Sequence, residues 1–335
     1  MINFPMNHWK RPDPHTWALR TTPSLIGLPA GLAYARPPNN RFVAVNRAES
    51  VFFSAYSAVS RDGISWTAGG AVSASDEQVS TLFYAAELDL FIKVCHTGSG
   101  GEAIYTSPTG DVWTARGLGQ FAASSWVLGA WNGSYALVAH QQSGPDWLMR
   151  STDGLTWALL TNDYNSAAPG GLVWAPWLSL WVMFDATKIY TSPTGATWTL
   201  RLDSVGTPSI ENGFLSVAVS SDTILCTCAT TAVAGTRVVT STNGISWTTR
   251  TVSGTDYSLG FSAYGGGKWL LSNNVSDGLD KVFTSPDMAT WTLRTGIPTS
   301  YPAYQAVYSD HLEMWAIGVL GYPGTQSVYT SSLGT

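Results

Sequence analysis

The sequence predicts an all-β chain: a seven-bladed β-propeller of four-stranded antiparallel blades, the last blade closed by the N-terminal strand. Three observations lead there. A Ser-x-x-x-x-x-Trp box recurs six times, and its tryptophans Trp66, Trp113, Trp157, Trp198, Trp247 and Trp291 are spaced by 47, 44, 41, 49 and 44 residues. That period fits one four-stranded blade per repeat. A seventh box is split between the chain ends, because placing Thr16-Trp17 after Ser331-Ser-Leu-Gly-Thr335 restores the spacing. The runs between boxes are short, β-branched or aromatic, and bounded by Gly, Pro, Asn and Asp. No stretch sustains a helical period, so almost no helix is expected.

The elements follow in order. Residues 1–15 precede the ring as an N-terminal arm, and residues 16–335 form the propeller, with blade 7 made of 302–335 plus 16–22. Blade 4 shows the pattern: strand A over 171–175, strand B over 180–184, strand C over 188–191, the box, then strand D over 197–201. Aligning the A strands on small residues gives an alanine column, Ala35, Ala86, Ala130, Ala175, Ala218, Ala263 and Ala306. Crowding at the axis explains a small residue there. A second column places arginine three residues after the box Trp, at Arg20, Arg116, Arg201, Arg250 and Arg294, with Gly69 and Leu160 in the other two blades. Its expected role is to cover the outer edge strands and deter strand pairing.

Composition removes several function classes. Charged residues make up 12% of the 335 residues and the net charge is −5, so the basic footprint of a nucleic-acid binder is missing. No run of 18 apolar residues occurs, and no membrane insertion is expected. The first fourteen residues carry no apolar core, and Lys10 and Arg11 come after the apolar residues rather than before, so they are not expected to act as a signal peptide. Cys95, Cys226 and Cys228 are too few for a disulfide scaffold and lack the partners of a zinc site. No metal and no cofactor is expected.

In each box, Ser with Asp, Asn or Thr holds a tight turn, Gly supplies a positive φ, and Trp fills the space between blades. The structural box tryptophans are Trp17, Trp66, Trp113, Trp157, Trp198, Trp247 and Trp291. The pattern resembles the Asp-box (BNR) repeat of sialidases and related propellers, with one residue fewer between Ser and Trp. Asp occupies the third position only at Asp62, Asp153 and Asp287. The resemblance implies a propeller whose boxes are structural and lie away from the active face.

A sialidase-like active site would need an arginine triad, a Tyr–Glu pair and an acid/base Asp, and no such constellation stands out. Glu87 and Asp89 read as exposed turn carboxylates, and no catalytic residue is assigned. Aromatic residues at the A–B turns, Trp131, Trp177, Tyr264 and Tyr308, read either as saccharide-stacking positions or as packing between blades. A chain poor in Lys, without disulfides and built of Tyr-Thr-Ser-Pro-Thr-Gly-type repeats, resembles tail-associated proteins of tailed phages. The expectation is therefore a non-enzymatic virion protein, tail- or fibre-associated. Its partners would be other virion proteins, through Phe4, Trp9, Lys10 and Arg11 of the arm and one propeller face, and a bacterial surface polysaccharide. The alternative is a sialidase-like glycoside hydrolase or a lectin.

Overall fold

The computed structural model describes residues 17–20, 28–47, 56–71, 77–97, 102–118, 127–140, 148–164, 168–205, 213–229, 236–252, 259–273, 281–294, 297, 303–319 and 327–331. They form seven four-stranded antiparallel sheets, each in simple meander order. In six sheets the four strands are consecutive in sequence. The seventh joins Trp17–Arg20 to Ser327–Ser331, with Trp17 opposite Ser331 and Arg20 opposite Val328. The N-terminal strand therefore completes the last blade as its outer strand, and Ser327–Ser331 is paired on both sides.

The inner strands are Leu28–Ala35, Glu77–Ala85, Val127–Trp131, Gly171–Ala175, Phe214–Val219, Leu259–Gly265 and Ala303–Ser309. Each touches the inner strand of the next blade, and the last touches the first, which closes the ring around a central axis. Core side chains fall into seven clusters, each holding residues from two neighbouring blades. The hydrophobic core is thus a set of interblade seams. One 3-10 turn, Ala86–Leu88, is the helical element among the described residues, and no helix there is long and apolar enough to cross a membrane.

The boxes behave as hairpin locks. The Ser hydroxyl accepts the amide of the residue three further on, at 2.7–2.9 Å in all six intact boxes. Where the third position is Asp or Asn, its side chain accepts two more amides, as Asp153 does from Leu155 and Thr156. The indole of Trp66, Trp113, Trp157, Trp198 and Trp291 donates back to the carbonyl three residues before it. Each box Trp packs into the seam with the preceding blade.

The arginine column has a more specific role than edge cover. Nε of Arg20, Arg116, Arg201, Arg250 and Arg294 donates to the hydroxyl of Thr330, Thr106, Thr191, Thr240 and Thr284, at 2.6–3.0 Å. These buried threonines immediately precede the box serines. The two blades without the arginine carry Val59 and Arg150 at the threonine position. The pair is a lock between strands C and D, present or absent as a unit.

The register corrects the alanine column. Counting from the box Ser across strand B places Tyr34, Tyr84, Trp131, Trp174, Val219, Tyr264 and Tyr308 at one level. Ala35 and Ala175 lie one residue beyond it, Ala130, Ala218 and Ala263 one before it, Ala306 two before it, and Ala86 sits in the 3-10 turn. A–B turns of different length shift the strand ends, so matching small residues does not match levels. In blade 4 the outer strand starts at Thr199 rather than residue 197. The box turn holds Trp198, whose amide donates to Asp163 at 2.7 Å.

Candidate functional site: an aromatic mouth on the propeller axis

In a four-stranded meander the A–B and C–D turns lie at the same end. The A–B turns and the boxes therefore share one face, and their contacts agree. Trp177 Nε1 donates to the carbonyl of Thr242 in the next box at 3.1 Å, and Tyr135 OH does so to Thr194 at 3.1 Å. Most residues of the B–C and D–A connections lie outside the described ones.

On the A–B face the axis opens into a cavity of about 680 Å³, the size of a small-ligand site. Trp131, Trp174, Tyr264 and Tyr308 line it, with Arg36 and Asp310 as its charged groups among the described residues. Strand alternation brings these rings together. Each sits at the same level near the end of an inner strand, where the pleat turns that side chain toward the neighbouring blade and the axis.

Other contacts fix the rings in place. Trp131 Nε1 donates to the Glu87 carboxylate of the preceding blade. Trp174 meets buried Trp181 edge to face at a centroid distance of 5.2 Å, and Tyr308 meets buried Trp315 in the same way at 5.1 Å. Gly265 and Gly266 lie flat against Tyr308; a Cβ on Gly266 would come within 2.5 Å of its ring. Gly266 and Gly267 turn the chain at φ +56° and +73° and leave the mouth open on that side. Blade 5 contributes Val219 instead of an aromatic ring.

The remaining two members of the level are engaged elsewhere. Tyr34 OH donates to Asn40 at 3.2 Å, and Tyr84 OH donates to Asp89, which also accepts the Asn39 amide at 2.6 Å. Glu87 and Asp89 are exposed turn carboxylates, as the sequence suggests, and each also braces a neighbouring blade. Carboxylates stand beside two tyrosines of this level. Burial together with Glu313 and Asp310 raises the Tyr308 hydroxyl above its ordinary pKa. Burial together with Asp89 raises that of Tyr84.

Three of the four aromatic residues singled out from sequence, Trp131, Tyr264 and Tyr308, therefore meet in one cavity. Trp177 stands apart, half-buried against the box of blade 5 and outside the cavity lining. The fourth ring of the cavity, Trp174, is not among those singled out, although its place at the same level can be read by counting back from the box serine. Phe4, Trp9, Lys10 and Arg11 lie outside the described residues.

Comparisons with known proteins show the architecture. No protein-family model matches the chain, and no curated protein sequence does. Among solved structures, the chain is similar to virginiamycin B lyase from Staphylococcus aureus, in a catalytically inactive form with quinupristin, at TM-score 0.70 and 9% identity over 94% of this chain and 99% of that one. It is similar to YCF48 bound to D1 peptide, at TM-score 0.65 and 15% identity over 96% of both chains. It is also similar to the GH74 enzyme of Niastella koreensis, at TM-score 0.58 and 15% identity over 89% of this chain and 54% of that one. At these identities the likeness is one of fold, shared by enzymes and by binding proteins.

Proposed function

We propose that the chain is a non-catalytic recognition propeller that binds a host-surface saccharide at its axial mouth, as a tail- or fibre-associated component of a phage virion. The observation that carries this reading is the convergence of four aromatic rings from blades 3, 4, 6 and 7 on one open cavity. Sugar rings present C–H faces that pack on indole and phenol rings, while their hydroxyls stay wet. One carboxylate, Asp310, belongs to the described lining, and Arg36 faces it at 3.9 Å. Glycoside hydrolysis ordinarily takes two carboxylates flanking the bond, so the lining favours binding over turnover.

The virion assignment is supported by the Ser-, Thr-, Gly- and Trp-rich composition and by the repeat pattern. In this reading Phe4, Trp9, Lys10 and Arg11 anchor the propeller to neighbouring virion proteins, and one face adds contact. Exposed Ile64, Val112, Leu155 and Ile245 ring the periphery of the box face and suit a protein neighbour.

The test is binding of the full chain to bacterial surface polysaccharides, with product release followed in the same wells. Binding without release, weakened by Trp131→Ala and Trp174→Ala, is expected. Release would replace this reading with a sialidase-like hydrolase, and no binding would overturn the saccharide assignment. Deleting residues 1–15 is expected to abolish incorporation into particles; normal incorporation would overturn the anchoring role.

A further inference from the structure

We infer that the axial mouth selects saccharides carrying a free ammonium group, such as unacetylated amino sugars, over their N-acetylated counterparts. The inference rests on the saccharide reading and adds a specificity to it.

Three observations lead to it. First, the described A–B connections carry five carboxylates, Glu87, Asp89, Asp222, Asp310 and Glu313, against one arginine, Arg36. Lys268 begins the following strand in blade 6, where it is half-buried. A cation entering the mouth meets a negative field, and the low-dielectric walls of the cavity strengthen it.

Second, the rings of Trp131, Trp174, Tyr264 and Tyr308 line the walls. Aromatic faces attract ammonium groups, tryptophan most strongly. The Trp131 indole N–H donates to the Glu87 carboxylate. That bond polarises the ring and makes its face more negative, as coupled hydrogen bonds do elsewhere.

Third, the one cation among the described residues that line the mouth is weakly held. Arg36 faces Asp310 at 3.9 Å, and both side chains are about two-thirds exposed, at 72% and 67%. Exposed pairs of this kind contribute little. An incoming ammonium can take the Asp310 carboxylate, while the long Arg36 side chain swings into water at small cost. Asp310 lines the same cavity as the rings, so one ligand can stack on an indole and place its ammonium on that carboxylate.

The experiment titrates the full chain with a glucosamine oligosaccharide and with its N-acetylated equivalent, followed by tryptophan fluorescence and calorimetry. Tetramethylammonium serves as a third probe. The expected result is on the order of ten-fold tighter binding of the free amine, a preference that shrinks as salt is raised. Asp310→Asn is expected to reduce the preference to about two-fold, and Arg36→Gln to enlarge it; both positions are exposed. Equal binding of the two saccharides would overturn the ammonium preference and leave the saccharide reading intact. Binding of tetramethylammonium with neither saccharide would overturn the saccharide reading, and this inference with it. No response to any probe would overturn both.

Discussion

Replacing Thr284 by Val should destabilise the propeller far more than the same change at Thr240. Valine keeps the shape of threonine, so no cavity opens, and the change removes only the hydroxyl that accepts from arginine. In blade 6 that threonine is 1% exposed, and its donor Arg294 is 9% exposed and 2.6 Å away. Burial lowers the Arg294 pKa, because its charge is partly desolvated. Leaving a buried charged donor unmatched costs about 2 kcal/mol. In blade 5, Arg250 is exposed and 3.0 Å from Thr240; water replaces the hydroxyl and the cost falls below about 1 kcal/mol. For a chain of this length about 2 kcal/mol corresponds to a fall of roughly 3 °C in Tm. Urea unfolding followed by tryptophan fluorescence measures both variants at constant m. The double variant Thr284→Val with Arg294→Leu should recover part of the loss, since the donor and the acceptor of this bond are then both gone. Blade 1 already carries Val59 and Gly69 at these positions. Equal costs in the two blades, or no recovery in the double variant, would refute the idea of a paired lock.

Three further outcomes are expected. Gly110→Ala puts a Cβ 2.2 Å from Val43 at a φ of +79°, so left-handed strain and overpacking together should cost about 3 kcal/mol by chemical denaturation. Trp17→Ala should cost about 3 kcal/mol or more, because Trp17 is 6% exposed in the closing seam, whereas Leu19→Ala, two residues on and 56% exposed, should change the unfolding midpoint little. Asp153 is held down to a pKa of about 2, first by the Thr156 amide and also by Leu155, Ser151 and the Thr156 hydroxyl. Its folded pKa lies below the unfolded value, so its contribution is present above about pH 4 and disappears as the pH falls through about 2. Asp153→Asn should keep the turn, as Asn243 does in blade 5 with bonds of 2.9 and 2.8 Å. The variant should therefore show a flatter acid limb in pH-dependent unfolding than the wild type.

The ring is legible because its signal is covalent spacing. A box that must cap every C–D hairpin repeats with the blade, and the split copy at Ser331 and Trp17 announces the closure. The Arg–Thr lock is equally present in the sequence: Thr stands before the box Ser in just those blades where Arg follows the Trp. One column alone suggests edge cover, and the pair becomes visible only when both columns are compared. The level of the inner strands is harder to read. Turns of different length, such as the 3-10 turn at Ala86–Leu88 and the Gly266–Gly267 turn, shift the strand ends by one or two residues. A one-residue shift moves a side chain to the other face, which is how alanines from different levels fall into one column. Counting back from the box Ser through the antiparallel partners removes the error and recovers Trp174 beside Trp131, Tyr264 and Tyr308.

The same counting shows where the repeat stops being obligatory. Box serines, box tryptophans and interblade apolar residues recur because every blade must close against its neighbour. The aromatic level recurs in six blades, but its members do different things. Tyr34 and Tyr84 spend their hydroxyls on Asn40 and Asp89 within their own blades, and Val219 interrupts the series in blade 5. The four remaining rings line the cavity, beside the exposed Arg36–Asp310 pair. A ring of equivalent blades gives equivalent packing seams, so packing alone predicts seven like residues at this level. The departures cluster at the axis, in blades 3, 5 and 6. Packing does not require a tryptophan tied to a carboxylate, a glycine turn that keeps the mouth open, or a valine that breaks the aromatic series. The proposed ligand, approaching off-centre toward blades 3, 4, 6 and 7, would account for all three.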